Sequence, residues 1–203
     1  MIAIIDYGVG NLFSLRSSLR FIGQDAVITG DAGTIKSCRH LLLPGVGAFG
    51  DAANKLRESG LGAVVAEEAA EGKPLLGVCL GMQLLFDRSY EFGEHAGLGL
   101  LRGVVAPINK RIPDGYKTPH IGWNRLKFSG ERSPLFKYIN EGEHVYFVHS
   151  YHAEDCADSI VATTDYGAEL TAAVGSGNIF GTQFHPEKSG ETGLNILRAF
   201  VEL

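Results

Sequence analysis

The sequence is short of three things whose absence narrows its function. It has three cysteines in 203 residues, an odd count with no Cys-x-x-Cys pair, so neither a disulfide framework nor a metal site built on thiolates is expected. It lacks a basic excess: 18 Lys and Arg stand against 23 Asp and Glu, a net charge of -5. A nucleic-acid partner would call for the opposite sign, and none is expected. Long apolar runs are missing too. The stretch Leu75 to Phe86 is shorter than the ~20 residues that span a bilayer and is interrupted by Gly and Gln, so no membrane span is expected. Met1-Ile2-Ala3-Ile4-Ile5-Asp6 has no basic region and no small-residue cleavage site. A secretory signal is therefore not expected, and a cytoplasmic location is the simplest reading. With no Ser/Pro-rich linker and no internal repeat, one domain over residues 1–203 is expected.

Glycine, by contrast, is abundant at 27 of 203 residues, against about 7% in an average protein, and implies many tight turns. Ile2 to Asp6 is a β-branched apolar run, followed by Gly8 and Gly10 and then by Leu12, Leu15, Leu19 and Ile22 at helical spacing. Ala26 to Thr29, His40 to Leu43 and Pro74 to Val78 read as further buried strands. An Ala-rich helical pattern runs from Ala48 to Gly72 with a break near Ser59-Gly60, and Leu80 to Arg88 reads as a helix. Alternating strands and helices predict an α/β protein with an open, mostly parallel, flavodoxin-like sheet and helices on both faces. Beyond Gly97 the texture changes to short strand-like runs at Leu101 to Ile108, Asn124 to Phe128, Val145 to His149, Ser159 to Thr164, Leu170 to Val174 and Ile179 to Phe184. These are expected to continue the same sheet as a partly antiparallel extension, closed by a helix from about Thr192 to Val201.

Chemistry concentrates at two places. Gly77-Val78-Cys79-Leu80-Gly81 lies where a predicted strand meets a predicted helix, the position at which G-x-S-x-G enzymes hold their nucleophile on a sharp elbow. Here the nucleophile would be sulfur. Glycines on both sides leave room for close backbone, and a helix N-terminus facing the thiol favours thiolate. Cys38 and Cys156 have no such setting and read as buried core thiols. His185-Pro186-Glu187, directly after a predicted strand, offers a base and an orienting acid: proline keeps His185 out of the helical region, and residues 185 and 187 of an extended segment share a side.

Two other patterns carry less. Gly45-Val46-Gly47-Ala48-Phe49-Gly50 contains G-x-G-x-x-G, but Pro44 interrupts the strand-to-helix turn and the acids at a suitable distance, Glu67 and Glu68, sit within a helical pattern. That loop is better suited to presenting N–H groups to an oxyanion. His144, His149 and His152 cluster without a zinc spacing, and packing or substrate contact is expected rather than metal.

Gly77-Val78-Cys79-Leu80-Gly81-Met82-Gln83 together with His185-Pro186-Glu187 resembles the class I, triad-type glutamine amidotransferases, over the whole chain. Asp6 to Asn11, Pro44 to Phe49, His120 to Asn124, Tyr146 to Tyr151 and His185 to Ser189 look like one subgroup, the glutaminase subunits of histidine biosynthesis. Sister glutaminases are not expected to carry Gly122-Trp123-Asn124 or Lys188 in this form.

The resemblance implies hydrolysis of L-glutamine to glutamate and ammonia with no cofactor and no metal. Cys79 would attack the carboxamide, His185 would move the proton, and Glu187 would orient His185. The oxyanion would rest on the N–H of Leu80 and one from Gly45-Val46-Gly47. The resemblance places Gln83, Glu91, Ser150 and Tyr151 around the glutamine. It also implies a heterodimer with a β/α-barrel cyclase, which receives the ammonia and forms imidazole glycerol phosphate and aminoimidazole carboxamide ribotide, with Asn11, Trp123, Tyr146 and Lys188 toward that partner. Two alternatives stay open from the residues alone: a flavodoxin-like protein with an oxidant-sensing cysteine, and a cysteine hydrolase acting on another acyl substrate.

Overall fold

The computed structural model describes residues 1–203. The strands are β1 (Ile2–Ile5), β2 (Ala26–Thr29), β3 (His40–Gly45), β4 (Leu75–Cys79), β5 (Phe86–Ser89), β6 (His95–Ala96), β7 (Leu101–Pro107), β8 (His120–Arg125), β9 (Lys127–Phe128), β10 (His144–His149), β11 (Tyr151–Glu154), β12 (Ile160–Asp165), β13 (Glu169–Ser176) and β14 (Ile179–Thr182). The α-helices are α1 (Leu12–Phe21), α2 (Ala32–Ser37), α3 (Phe49–Glu58), α4 (Leu61–Ala70), α5 (Leu80–Gln83) and α6 (Gly190–Val201).

Eight strands form the main sheet in the order β2-β1-β3-β4-β14-β13-β12-β9. Its first five strands are parallel, and β13, β12 and β9 continue it antiparallel. The fold is α/β with a mostly parallel sheet, helices and an antiparallel extension, as the alternation of patterns implied.

Alternation along the strands divides the core in two. Ala3 and Ile5 of β1 face α2, α3 and α4 with Ile35, Phe49, Leu56 and Val65. Ile2 and Ile4 face the other way, against Leu15 and Leu19 of α1 and Ile196, Leu197 and Phe200 of α6. A period-two strand buried on both sides must be apolar at every position, which is why β1 reads as an unbroken Ile-Ala-Ile-Ile run.

Two expectations need correction. The helix expected over Leu80 to Arg88 ends after one turn, because Phe86–Ser89 is a strand that pairs with β7 and β6. Leu84, Leu85 and Phe86 are fully buried, and the strand partner and burial outweigh the helix propensity of a leucine-rich run. Nor do all later strands extend the main sheet. β8 and β10 form a separate antiparallel pair, and β11-β7-β5-β6 forms a small four-stranded sheet.

The carboxyl ends of β3, β4 and β14 lie side by side, with Gly45 opposite Cys79 and Thr182 opposite Val78. Helices cannot cover a sheet at its strand ends, so this edge is where an open α/β sheet leaves a crevice.

Candidate active site

Cys79 ends β4 with φ +55 and ψ −111. A non-glycine residue there costs about 1–3 kcal/mol and persists only where its surroundings enforce it. The enforcement is close backbone. A β-carbon on Gly77 would fall 2.7 Å from both the Gly81 carbonyl oxygen and the Met82 nitrogen, and one on Gly81 would overlap the Leu43 carbonyl. Because α5 is a single turn, it has little summed helix dipole to bring to bear on the sulfur. Cys38 and Cys156 are buried and free, and burial first of all raises the Cys156 thiol to about 11.

His185 follows β14 and is itself extended, but residues 186–188 form a turn of 3₁₀ helix. The turn replaces the extended segment expected there and still joins the pair: His185 Nδ1 lies 2.8 Å from Glu187 Oε1, with both side chains buried. Burial opposes a charge on His185. Hydrogen bonds to the Cys79 and Glu187 side chains, with the negative charge available on each, outweigh it and lift its pKa to about 9. The protonated imidazole is thus favoured, held by the Glu187 carboxylate. Ser189 Oγ donates to the His185 carbonyl at 2.6 Å and accepts the Tyr146 N–H at 3.0 Å, tying the turn to β10.

A cavity of about 350 Å³ opens on these groups, lined by Cys79, Leu80, Gln83, Glu91, Val46, Gly47, Ser150, Tyr151, His185 and Lys188 among others. Sequence positions 46 to 188 converge there, and the four residues expected around glutamine all face it. Glu91 Oε2 accepts the Phe49 N–H at 2.6 Å, at the start of α3. That bond fixes a carboxylate in the wall of the same cavity that Cys79 lines.

Gly45 and Gly47 have different reasons to be glycine. Gly47 has φ +93, which a side chain would strain. Gly45 has no positive φ, and its constraint is contact: a β-carbon would lie 2.7 Å from the Gly81 nitrogen and 2.8 Å from Leu80 Cβ. The loop is anchored just before it, where the buried Tyr7 hydroxyl donates to the Pro44 carbonyl at 2.7 Å. Gly50, the last glycine of the dinucleotide-like pattern, packs against the His95 ring, where a β-carbon would clash.

The histidine cluster does not assemble, and no group of three or more metal-ligating side chains occurs in the structure. His144 is exposed, His152 pairs with Glu154 at 3.1 Å, and His149 meets His120 at 2.9 Å beside the cavity. Sequence reasoning missed Gln183, which is fully buried and points its amide nitrogen at Cys79 Sγ from 3.8 Å.

Residues 3–203 match the family model described as Glutamine amidotransferase class-I. The chain belongs to that family. Its relatives include proteins named Imidazole glycerol phosphate synthase subunit HisH. The one from Geobacillus sp. (strain WCH70) is 52% identical, covering 100% of this chain and 97% of its own. The one from Methanothermobacter thermautotrophicus is also 52% identical, over 100% of this chain and 98% of its own, and the one from Wolinella succinogenes is 47% identical over 100% of both. Among solved structures, a glutamine amidotransferase superposes with TM-score 0.76 at 20% identity, covering 100% of this chain and 98% of that one. PurLQS from Thermotoga maritima does so with 0.75 at 21%, over 99% and 97%. These two likenesses speak for the fold. As a class-I glutamine amidotransferase, the chain is an enzyme.

Three of the four residues expected toward a partner come together beside this cavity. Trp123 and Tyr146 are cross-strand neighbours in the β8–β10 pair, with ring centroids 6.1 Å apart. The Lys188 ammonium lies 5.9 Å from the Tyr146 ring centre. Trp123 is 53% exposed, a large amphipathic surface of the kind that anchors protein interfaces. Asn11 caps α1 without a side-chain capping bond.

Proposed function

We propose that this chain hydrolyses L-glutamine to L-glutamate and ammonia through Cys79, His185 and Glu187, and hands the ammonia to a cyclase subunit. The single observation that carries the reading is the meeting of a strained elbow thiol with a charged, carboxylate-held His185 in one cavity. Cys79, as the thiolate with His185 holding the proton, adds through Sγ to the side-chain carbonyl carbon, and the oxygen takes the negative charge against the N–H of Leu80 and one from Val46 or Gly47. As the oxyanion collapses the C–N bond breaks, and His185 gives its proton to the departing nitrogen, releasing ammonia and leaving a thioester. Neutral His185 then takes a proton from water as the hydroxyl adds to the thioester. The C–S bond breaks, glutamate leaves, and Glu187 keeps the imidazole aimed throughout. Gln83, Glu91, Ser150 and Tyr151 would hold the glutamine.

Ammonia released into neutral water becomes ammonium and loses its nucleophilicity, so direct delivery is chemically favoured. The identity of about half to HisH subunits over the whole chain supports a β/α-barrel cyclase as the recipient, forming imidazole glycerol phosphate and aminoimidazole carboxamide ribotide in histidine biosynthesis. In this reading residues 1–203 act as one amidotransferase domain in the cytoplasm; no helix is long and apolar enough to cross a membrane. Trp123, Tyr146, Lys188 and Asn11 would face the cyclase. The test is glutamate release by the chain mixed with its cyclase and glutamine. Release that depends on Cys79, with imidazole product formed in step, is expected; cyclase product without glutamate would reject the reading.

A further inference from the structure

A single line of hydrogen bonds runs from β8 to the nucleophile, and its polarity follows link by link. The Tyr151 carbonyl can only accept. It accepts from Gln83 Nε2 at 3.1 Å, which decides which end of the Gln83 amide is nitrogen. The second N–H of that nitrogen donates to Gln183 Oε1 at 3.0 Å. With its oxygen committed, Gln183 must turn its Nε2 toward Cys79 Sγ at 3.8 Å. The same Tyr151 carbonyl accepts from His149 Nδ1 at 2.8 Å. His149 Nε2 therefore accepts from His120 Nδ1 at 2.9 Å, and His120 Nε2 accepts from Asn124 Nδ2 at 3.1 Å. Both rings are used fully in their neutral forms, in keeping with burial, which pushes His149 to about 3 and His120 to about 4.

We propose that Gln183 is a further catalytic residue of this amidotransferase: a buried, neutral N–H donor fixed on Cys79 Sγ that favours negative charge on sulfur. The proposal rests on Cys79 being the nucleophile. Its physical basis is that sulfur accepts a hydrogen bond strongly only when charged. The contact is therefore weak in the thioester and strong in the free thiolate, so it raises the share of thiolate available for attack and favours departure of sulfur in the second step. An amide suits the place better than a cation. It cannot take the proton that His185 must carry, and it does not lower the nucleophilicity of sulfur as a fixed positive charge would. Burial makes the donor effective, since Gln183 and Thr182 before it are fully shielded from solvent.

The test is the pH dependence of Cys79 alkylation by iodoacetamide in the full chain, located by mass spectrometry, with glutaminase kinetics alongside. Gln183→Met keeps the volume and removes the donor, and should raise the pH midpoint of alkylation. Gln183→Glu sets a carboxylate oxygen against the sulfur and should raise it further. Loss of a hydrogen bond to a charged group predicts a fall in kcat of about tenfold to a hundredfold for Gln183→Met, with KM changed by less than about threefold. Should the methionine variant not fold, Gln183→Asn, which keeps an amide but withdraws it from sulfur by one carbon, should shift the midpoint the same way. Unchanged midpoints in the folded variants would overturn the proposal, because a merely structural Gln183 would alter thermal stability and leave thiol ionisation alone. Glutamate release that survives Cys79→Ala would instead overturn the assignment of the nucleophile, so the two failures are distinguishable.

Discussion

Gly45 and Cys79 are register partners at the ends of adjacent parallel strands, and a β-carbon on Gly45 would collide with Leu80 and Gly81, the two residues that follow Cys79. The loop that would offer an oxyanion donor is thereby locked one strand away from the sulfur that would create the oxyanion. A change at Gly45 moves both. Gly45→Ala is expected to damage nucleophile geometry and stability together, whereas Gly47→Ala opposes only the φ of +93 and meets no neighbour within 4 Å. Val46→Pro deletes one N–H outright. A missing oxyanion donor costs about 10² to 10³ in rate, so Val46→Pro should lose that much kcat in glutamate release while thermal denaturation changes little. Equal rates in Val46→Pro and the unaltered protein would assign the donor to another peptide.

Cys79→Ala should abolish glutamate release, by about 10⁴-fold or more, yet leave the complex able to form cyclase product from added ammonium salt. Cys38→Ala and Cys156→Ala should retain glutaminase activity in the folded protein, since both thiols are packed in the core and away from His185. Parallel assays with glutamine and with ammonium chloride separate the two cases.

His185→Ala removes the proton carrier and should cost about 10⁴-fold. Glu187→Gln keeps the shape and weakens the imidazolium, and should cost about 10²-fold. The pKa of His185, raised to about 9, sets the basic limb. The proton needed for ammonia departure is present at neutral pH, so activity should fall as pH rises through about 9. In Glu187→Gln that limb should move to lower pH, because one of the two groups that favour the cation is gone. A pH profile of kcat with each variant checks the order and the direction.

The histidines also predict opposite pH effects on stability. His185 binds its proton more tightly folded than unfolded, so its contribution is complete below about 6.5 and is lost as pH rises through about 9. His120 and His149, lowered by burial to about 4 and about 3, take up protons more readily when unfolded. Their contribution is complete above about 6.5 and declines as pH falls toward 4 and 3. Urea midpoints at pH 5 and pH 8 should differ less in His120→Phe than in the unaltered protein.

Trp123→Ala should weaken association with the cyclase by about 2 kcal/mol or more, as expected when an exposed interface anchor is truncated, and leave the melting temperature of the free chain nearly unchanged. Titration calorimetry measures the first effect and thermal denaturation the second.

The sequence by itself determined the parallel core and the chemical centre. β1 and β4 are apolar at nearly every position because both faces are covered, and Gly77-Val78-Cys79-Leu80-Gly81 encodes a backbone crossing that other residues would obstruct. His185 and Glu187 are two positions apart, so their pairing is local and legible, although the chain makes it through a 3₁₀ turn. What only the tertiary structure decided depends on distant partners. Phe86 to Ser89 becomes a strand because β7 lies beside it, against the preference of the preceding leucines. β8 and β10 leave the main sheet because each finds its hydrogen bonds in the other. Gln183 could not be singled out from one chain, since a glutamine at a strand end is ordinary until its oxygen is claimed by Gln83 and its nitrogen is left facing sulfur. Local spacing encodes contacts a few residues apart, whereas a donor's direction is set by whichever acceptor the fold brings within about 3 Å.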